Sequence, residues 1–189
     1  MPDSLCPLEV LEKEVRLSYW ENIKESLDNA PELKELLPPK GGICFKYSGE
    51  SQGEQHEAEL ALSAELSGMV KEKKLAREIY PWVEEKIILV HGHKVAIEVV
   101  VQTLLHIGSK SFTHLVTVLE RYGYVLSKLA SDESNQILVI SEVAKLWQNS
   151  AQMTAIAIDR MMGYRIISNI ATMSWVFSSA NIEQFHTLD

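Results

Sequence analysis

Two histidines spaced two residues apart are the first candidates for metal chemistry. His91 and His93 flank Gly92, but no cysteine, aspartate or third histidine lies near them at an established ligand spacing. The pair is therefore predicted to mark the turn at a helix end in preference to a metal site.

A second pair of histidines, His106 and His114, flanks a predicted turn at Gly108. In an antiparallel pair of helices the two imidazoles could face each other, as the members of a proton relay do. A polar contact within the turn is the favoured interpretation.

The motifs for nucleophilic or phosphate chemistry are also incomplete. Ser178 and Ser179 lack the Gly-x-Ser-x-Gly elbow, and residues 38–42 (Pro-Pro-Lys-Gly-Gly) lack the phosphate-loop pattern and follow no predicted strand. Cys6 and Cys44 have no close cysteine or histidine partner, which favours reduced thiols inside the cell, with a disulfide as the alternative. The sequence therefore predicts no catalytic residue, no cofactor and no enzyme, and it identifies no partner-binding residue.

The charge of the chain bears on nucleic-acid binding. There are 26 acidic and 18 basic residues, a formal net charge of −8, which disfavours direct contacts with phosphates. A basic run nevertheless occurs at Lys71, Lys73, Lys74 and Arg77, interleaved with Glu72 and Glu78. This alternation favours a solvated helix face, with direct RNA contact as the alternative.

The elements that would position these residues are predicted to be helices. Apolar residues at three- and four-residue spacing predict an amphipathic helix over 8–28, and residues 32–37 can form a short second helix. Glycines and polar residues predict a flexible loop over 38–55. We therefore expect an N-terminal approach segment, 1–37, the loop, 38–55, and a helical-repeat domain, 56–189.

Within that domain a helix over 56–79 is predicted to end or kink at Pro81, and a short helix over 82–90 to close at Gly92. The next helix is apolar except for Glu98, Gln102 and His106, which fall at i, i+4 and i+8. One narrow polar stripe on an apolar helix predicts burial on several sides. The longest apolar stretch, 95–107, is too short to cross a bilayer.

Serine and aspartate residues predict where the later helices begin. The expected N-caps are Ser111, the group 131–134, the pair Asn149-Ser150 and Ser168, and Gly163 is placed for a left-handed helix end. A further helix is expected to begin at Asn181. The short connections predict an all-α fold of antiparallel helix pairs in a HEAT-like α-solenoid. Most of the tryptophans, at positions 20, 82, 147 and 175, are predicted to lie in its core.

Several blocks of this sequence resemble one known family. The blocks are 14–20 (Glu-Val-Arg-Leu-Ser-Tyr-Trp), 30–41 (Ala-Pro-Glu-Leu-Lys-Glu-Leu-Leu-Pro-Pro-Lys-Gly), 101–105 (Val-Gln-Thr-Leu-Leu), 109–114 (Ser-Lys-Ser-Phe-Thr-His) and 175–179 (Trp-Val-Phe-Ser-Ser). In colinear order from about residue 8, they resemble the large subunit of the nuclear mRNA cap-binding complex. Residues 116–122 and 158–164 resemble its plant form most closely.

The resemblance implies a function. It implies the second of successive helical-repeat domains of the type found in the middle of translation initiation factor 4G. In that family a small subunit with an RNA-recognition fold holds the 7-methylguanosine cap. The large subunit supports it and recruits factors for splicing, export, nonsense-mediated decay and, in plants, microRNA processing. The resemblance therefore implies a nuclear scaffold, with the cytoplasm as a second compartment, indirect contact with capped RNA and no membrane association.

Two alternatives remain beside the scaffold. One is direct RNA binding of the kind that some factor 4G domains show, and the other is a non-functional or inhibitory fragment that competes for partners. Because the resemblance implies an internal portion truncated at the C-terminus, we expect an exposed apolar face and instability or self-association in isolation.

Overall fold

The computed structural model describes residues 43–48, 54–178 and 181. The helices predicted over 8–28 and 32–37, the approach segment, and most of the helix predicted from Asn181 lie outside the described residues. The described part of the chain is helical and contains no strand. Its helices are α1 Glu54–Lys71, α2 Ala76–Val83, α3 Leu89–His91, α4 His93–Gly108, α5 Phe112–Leu129, α6 Glu133–Leu146, α7 Ala151–Gly163 and α8 Asn169–Val176, with a π-helical turn, Glu84–Ile88, between α2 and α3.

The predicted N-caps are confirmed for four helices. The side chains of Ser111, Asp132, Ser150 and Ser168 each accept a hydrogen bond from the backbone N–H three residues later, at the starts of α5, α6, α7 and α8. Each cap satisfies a backbone donor that has no partner within its own helix. Short polar connections therefore fix where these helices begin.

The predicted end of the helix over 56–79 is wrong. The first helix stops at Lys71, Lys73 adopts a left-handed φ of 60°, and α2 begins at Ala76. The Glu78 carboxylate accepts a hydrogen bond from the Leu75 N–H at 2.8 Å, which fixes the start of α2. Pro81 lies inside α2, and the π-helical turn begins three residues later, at Glu84. Prolines and π-helical turns are both common sites of helix kinks.

Of the two predictions made for glycines at helix ends, one is confirmed and one is wrong. Gly92 has a φ of 89° and separates α3 from α4, as expected of the predicted helix end. Gly163 was expected to take a left-handed conformation, but it is the last residue of α7, and Arg165 takes the positive φ of 58° instead. The Arg165 N–H donates to Met162 and the Ile166 N–H to Met161, so the chain reverses two residues later than predicted.

The centre of the fold is α4. Its apolar side chains Ala96, Ile97, Val99, Val100, Val101, Leu104 and Leu105 are all fully buried. They pack against α1, α5 and α6. The predicted burial of this helix on several sides is confirmed, and it explains why its sequence is apolar nearly all round.

Cross-helix contacts give the relative directions of α1, α4 and α5. The Lys46 ammonium bridges Glu59 of α1 and Glu98 of α4, and the Ser63 and Thr103 hydroxyls of the same helices lie 2.8 Å apart, so α1 and α4 run in the same direction. The α5 helix runs back along α4, because His93 contacts the Leu129 carbonyl at one end. At the other end Gly108 lies against Leu115.

The contacts also repeat along the chain. Ser63 of α1 contacts Thr103 of α4, 40 residues later in the sequence. Gln102 of α4 contacts Glu142 of α6, again 40 residues later. Repeats of helix pairs in HEAT-type solenoids have a length of about 40–47 residues. The predicted all-α solenoid of antiparallel helix pairs is confirmed.

Candidate partner-binding surfaces

The polar stripe of α4 is covered by residues 43–48, which we call the strap. Lys46 of the strap forms ion pairs with Glu98 at 2.6 Å and Glu59 at 3.0 Å. The Phe45 ring stacks on the His106 imidazole with 3.9 Å between centroids. The Cys44 N–H donates to the carbonyl of Leu146 at the end of α6 at 2.9 Å. The strap therefore joins α1, α4 and α6 across one face of the solenoid.

Below the strap, a polar network connects α4 to α6. Gln102 Nε2 donates to the Glu142 backbone oxygen at 3.2 Å and to its carboxylate at 3.0 Å, and Lys145 Nζ pairs with the same carboxylate at 2.6 Å. Gln102 and Glu142 are nearly fully buried. Because a buried charge is stable only when it is paired and hydrogen-bonded, these contacts fix the register of the two helices.

Electrostatics hold the strap in place at neutral pH. Burial alone would lower the pKa of the Lys46 ammonium, but its hydrogen bonds with Glu98 and Glu59 and the charges of those two carboxylates raise the pKa above its ordinary value. The Tyr47 hydroxyl is buried and donates to Glu59 at 3.3 Å. Burial, followed by the negative charges of Glu59 and Glu98, raises the pKa of Tyr47 well above its ordinary value.

The histidines singled out by sequence do not come together in one site. Of the pair around Gly92, His93 contacts the Leu129 carbonyl through Nε2 at 2.9 Å, and His91 is exposed at the end of α3. Among the described residues, no group of three or more histidine, cysteine, aspartate or glutamate side chains is placed to hold a metal ion. The predicted polar contact in the second pair's turn is present for His114, whose Nδ1 lies 2.7 Å from the Ser111 hydroxyl, whereas the His106 ring stacks on Phe45 of the strap.

The serine and cysteine candidates have structural roles where the structure describes them. The Ser178 hydroxyl donates to the Trp175 carbonyl, and Cys44 is a free thiol whose Sγ accepts a hydrogen bond from Gln148 Nε2. Cys6, Ser179 and the stretch 38–42 lie outside the described residues.

The described tryptophans contribute to the core to different degrees. Trp147 is buried, which confirms the prediction for this residue, whereas Trp82 and Trp175 are half-buried and pack against the core. Their indole N–H groups donate to Glu65 and Ser141. Trp20 lies outside the described residues.

The basic run lies in and around the turn between α1 and α2. All four side chains are exposed, and Lys74 pairs with Glu72 at 3.3 Å. The turn contacts α5, because Arg121 Nη2 donates to the Lys73 carbonyl at 3.4 Å and the Tyr122 hydroxyl donates to the Lys74 carbonyl at 3.4 Å. The run therefore has further basic and aromatic neighbours that are distant in sequence.

A stripe of large apolar side chains is exposed on the last helix. Ile170, Met173 and Phe177 are 69%, 56% and 62% exposed and fall at i, i+3 and i+7, on one face of α8 and its C-cap. The opposite face carries the buried Ala171 and the indole of Trp175, which donates a hydrogen bond to the Ser141 hydroxyl of α6. We call these three residues the α8 stripe. Exposed contiguous apolar surface of this kind is typical of protein contact sites.

The sequence does not indicate three of these features. Its glycines and polar residues predict a flexible loop where the strap lies, and its local patterns neither separate the two faces of α8 nor place Arg121 in a basic surface. A signal for the strap was present in the alternation of Cys44, Phe45, Lys46 and Tyr47, in which aromatic residues flank a lysine. The α4 stripe was a second signal, because buried polar residues need partners.

None of the described helices is long and apolar enough to span a bilayer.

Comparisons with known proteins agree with this architecture. A family model described as MIF4G like matches residues 45–189. Nuclear cap-binding protein subunit 1 of Arabidopsis thaliana is 59% identical over 188 residues, which is 100% of this chain and 22% of that protein. The same protein of Oryza sativa subsp. japonica is 55% identical over 188 residues, with the same coverage of both chains. That of Homo sapiens is 33% identical over 190 residues, covering 95% of this chain and 23% of the relative.

These matches confirm the resemblance that the sequence blocks indicated. The chain spans about a fifth of the length of the curated relatives it matches. The matches to the plant proteins extend over the full chain and therefore include the segment that forms the strap. The chain therefore belongs to the MIF4G-like family, in the form found in nuclear cap-binding protein subunit 1.

Proposed function

We propose that this chain is a non-catalytic scaffold segment of a nuclear cap-binding complex and that it supports the small subunit that holds the cap. The observation that carries this proposal is the homology along the full chain to a protein named as subunit 1 of a cap-binding assembly. The proposed partner is a small subunit with an RNA-recognition fold, so the contact with capped RNA is indirect. The proposed compartment is the nucleus, with the cytoplasm as a second compartment.

The geometry supports a scaffold because it supplies a rigid surface. The helices of the strap face are joined by paired, largely buried side chains at Glu59, Glu98 and Glu142. Rigid, preorganised surfaces bind partners with less loss of conformational entropy than flexible ones. The scaffold is also proposed to recruit factors for splicing, export, nonsense-mediated decay and microRNA processing.

We assign the α8 stripe as the surface for the small subunit. It presents Ile170, Met173 and Phe177 together on one face of α8 and its C-cap. A few well-packed residues near the centre of an interface supply most of its binding free energy, and an exposed apolar patch is a suitable centre. The domain division at 1–37, 38–55 and 56–189 remains a proposal, and the family match from residue 45 supports a domain that includes part of the strap.

Co-purification of the chain with a tagged small subunit tests the assignment. The variant Ile170→Ser/Met173→Ser should lose retention by at least about tenfold, because two exposed apolar side chains each contribute roughly 1–2 kcal/mol when buried at an interface. The matched control is Leu89→Ser/Val90→Ser, which removes two apolar side chains of similar exposure, 76% and 67%, from α3.

The outcomes separate the alternatives. Retention of the unmodified chain and of the control, but not of the α8 variant, supports the proposal. Failure of a well-folded unmodified chain to co-purify contradicts it and favours the non-functional or inhibitory fragment. Equal loss in both variants contradicts the α8 assignment alone.

A further inference from the structure

A second surface, formed by α2, α5 and the turn before α2, combines cations with aromatic rings. Arg77 and Tyr80 are spaced i, i+3 on α2, with Lys73 in the turn before them. Arg121, Tyr124 and Lys128 fall at i, i+3 and i+7 on one face of α5. We call these six residues the basic–aromatic surface.

Contacts between the two rows show that the surface is continuous. The Tyr80 and Tyr124 rings meet edge to face with 6.0 Å between centroids. At one end Arg121 Nη2 reaches the Lys73 carbonyl, and on α5 the Lys128 ammonium lies 5.8 Å from the centre of the Tyr124 ring. The cations therefore surround a pair of tyrosines, and Tyr124 is 45% exposed.

The cations of this surface are not neutralised by the described part of the chain. Lys46, Lys74, Lys145 and Arg160 each pair with a carboxylate. Lys73, Arg77, Arg121 and Lys128, by contrast, form no ion pair with any described residue. Of the two acidic residues within the basic run, Glu72 pairs with Lys74 and Glu78 accepts the Leu75 N–H. Four unpaired cations grouped on one face contrast with the net charge of −8.

We propose that the basic–aromatic surface binds an acidic segment of a partner protein that carries apolar or aromatic anchors. Carboxylates of the segment pair with Arg77, Arg121 and Lys128, and its apolar side chains pack on the tyrosine pair. Leu75, which is 61% exposed beside the basic turn, adds apolar contact area. Complementary charge at such a surface sets specificity and speeds association.

An acidic peptide suits this surface better than RNA. The net negative charge of the chain repels a long polyanion, whereas a short segment meets mainly the local cations. The exposed Leu75 side chain contributes nothing to the binding of a phosphate, but it can pack against an apolar side chain of a peptide. This binding goes beyond the proposed function, because it involves neither the small subunit nor the α8 stripe.

Fluorescence anisotropy with the full 189-residue chain tests the proposal. The probes are a short labelled peptide of alternating glutamate and leucine, a peptide in which lysine replaces the glutamate, and an uncapped single-stranded RNA. The first variant is Arg121→Glu/Lys128→Glu, and a second is Arg77→Glu/Lys128→Glu in case the first fails to fold. The matched control is Lys94→Glu/Lys110→Glu, which makes the same charge change at exposed positions of α4 and the turn after it.

The expected result is binding of the acidic peptide, no binding of the lysine peptide, and a loss of at least about tenfold in affinity in the folded variants but not in the control. Three results would overturn the proposal. They are no binding of the acidic peptide, an equal loss in the control, and RNA binding that is tighter than peptide binding and is lost in the same variants. The last would assign the surface to nucleic acid.

Discussion

Gln102 on α4 donates its side-chain amide to two oxygens of Glu142 on α6, the backbone carbonyl at 3.2 Å and the carboxylate at 3.0 Å. The Gln102 side chain thus hydrogen-bonds both the backbone carbonyl and the carboxylate of one buried residue in the neighbouring repeat. The Ser63 and Thr103 hydroxyls make the contact at the corresponding place one repeat earlier. Polar contacts of this kind set the register of helices that apolar packing alone would leave free to slide.

Replacing Gln102 with alanine should destabilise the chain by about 1–3 kcal/mol, because Glu142 would lose two hydrogen bonds in a buried site. The free energy of unfolding from urea titration checks this. Gln152→Ala, at an exposed position in the first turn of α7, is the matched control and should change stability by less than about 0.5 kcal/mol. Equal stability of Gln102→Ala and the parent chain would show that the network does not contribute.

Replacing Lys46 with alanine should release the strap without unfolding the helices. The variant loses the ion pairs with Glu59 and Glu98, and the Cys44 amide and thiol then separate from Leu146 and Gln148. In a Cys6→Ser background Cys44 is the single thiol, since the chain has two cysteines. We expect its labelling by a thiol reagent to accelerate severalfold. Lys94→Ala should leave the rate unchanged, and a rate that is also unchanged in Lys46→Ala would contradict the role of the ion pairs.

The strap should also make stability depend on alkaline pH. The unfolded chain releases the Tyr47 proton near the ordinary pKa of 10.0, whereas burial and the charges of Glu59 and Glu98 hold it on the folded chain. The stabilisation is therefore complete below pH 10 and is lost as the pH rises above it. The raised pKa values of Lys46, Tyr122 and Tyr164 act in the same direction.

The variant Tyr47→Phe isolates the contribution of this one group. Its free energy of unfolding should fall less steeply between pH 9 and pH 11 than that of the parent chain, because the other groups still titrate. At neutral pH the variant should lose roughly 0.5–1.5 kcal/mol from the hydrogen bond to Glu59. Parallel stability curves for the two proteins above pH 9 would show that Tyr47 is not the group responsible.

Two glycines that differ in backbone conformation give a prediction about the α3–α4 junction. Gly92→Ala should destabilise the chain by roughly 1–3 kcal/mol, because a φ of 89° with a ψ of 164° is strained for any residue with a Cβ atom. Gly68→Ala should stabilise it by roughly 0.5–1 kcal/mol, because Gly68 lies within α1 with open space around it. Thermal unfolding of both variants shows whether each substitution raises or lowers the stability of the chain. A stabilising Gly92→Ala would contradict the strained backbone conformation at Gly92.

Local patterns predicted a large part of this fold. The capping serines Ser111, Ser150 and Ser168 and the stripe on α4 depend on residues a few positions apart, which the sequence displays directly. The break at 72–75 did not follow from sequence, because its lysines and glutamate are good helix formers and the break depends on contacts with α5. Tertiary contacts overrode propensity there.

The candidate surfaces were less predictable for a related reason. Lys46 and Glu98 are 52 residues apart, and Arg121 and Lys73 are 48 apart. Such pairs become neighbours only through the packing of the solenoid. The α8 stripe could not be predicted without knowing that Trp175 bonds Ser141 of α6, which leaves the opposite face of α8 exposed.

Retention on a resin carrying 7-methylguanosine tests the central claim most directly. The chain is applied alone and together with the small subunit, and its presence in the eluate is measured. The scaffold account predicts that the chain is retained with the small subunit, is not retained alone, and is lost from the resin when free cap analogue is added. Retention of the chain alone, or its absence from the eluate when the small subunit is bound, would contradict the account.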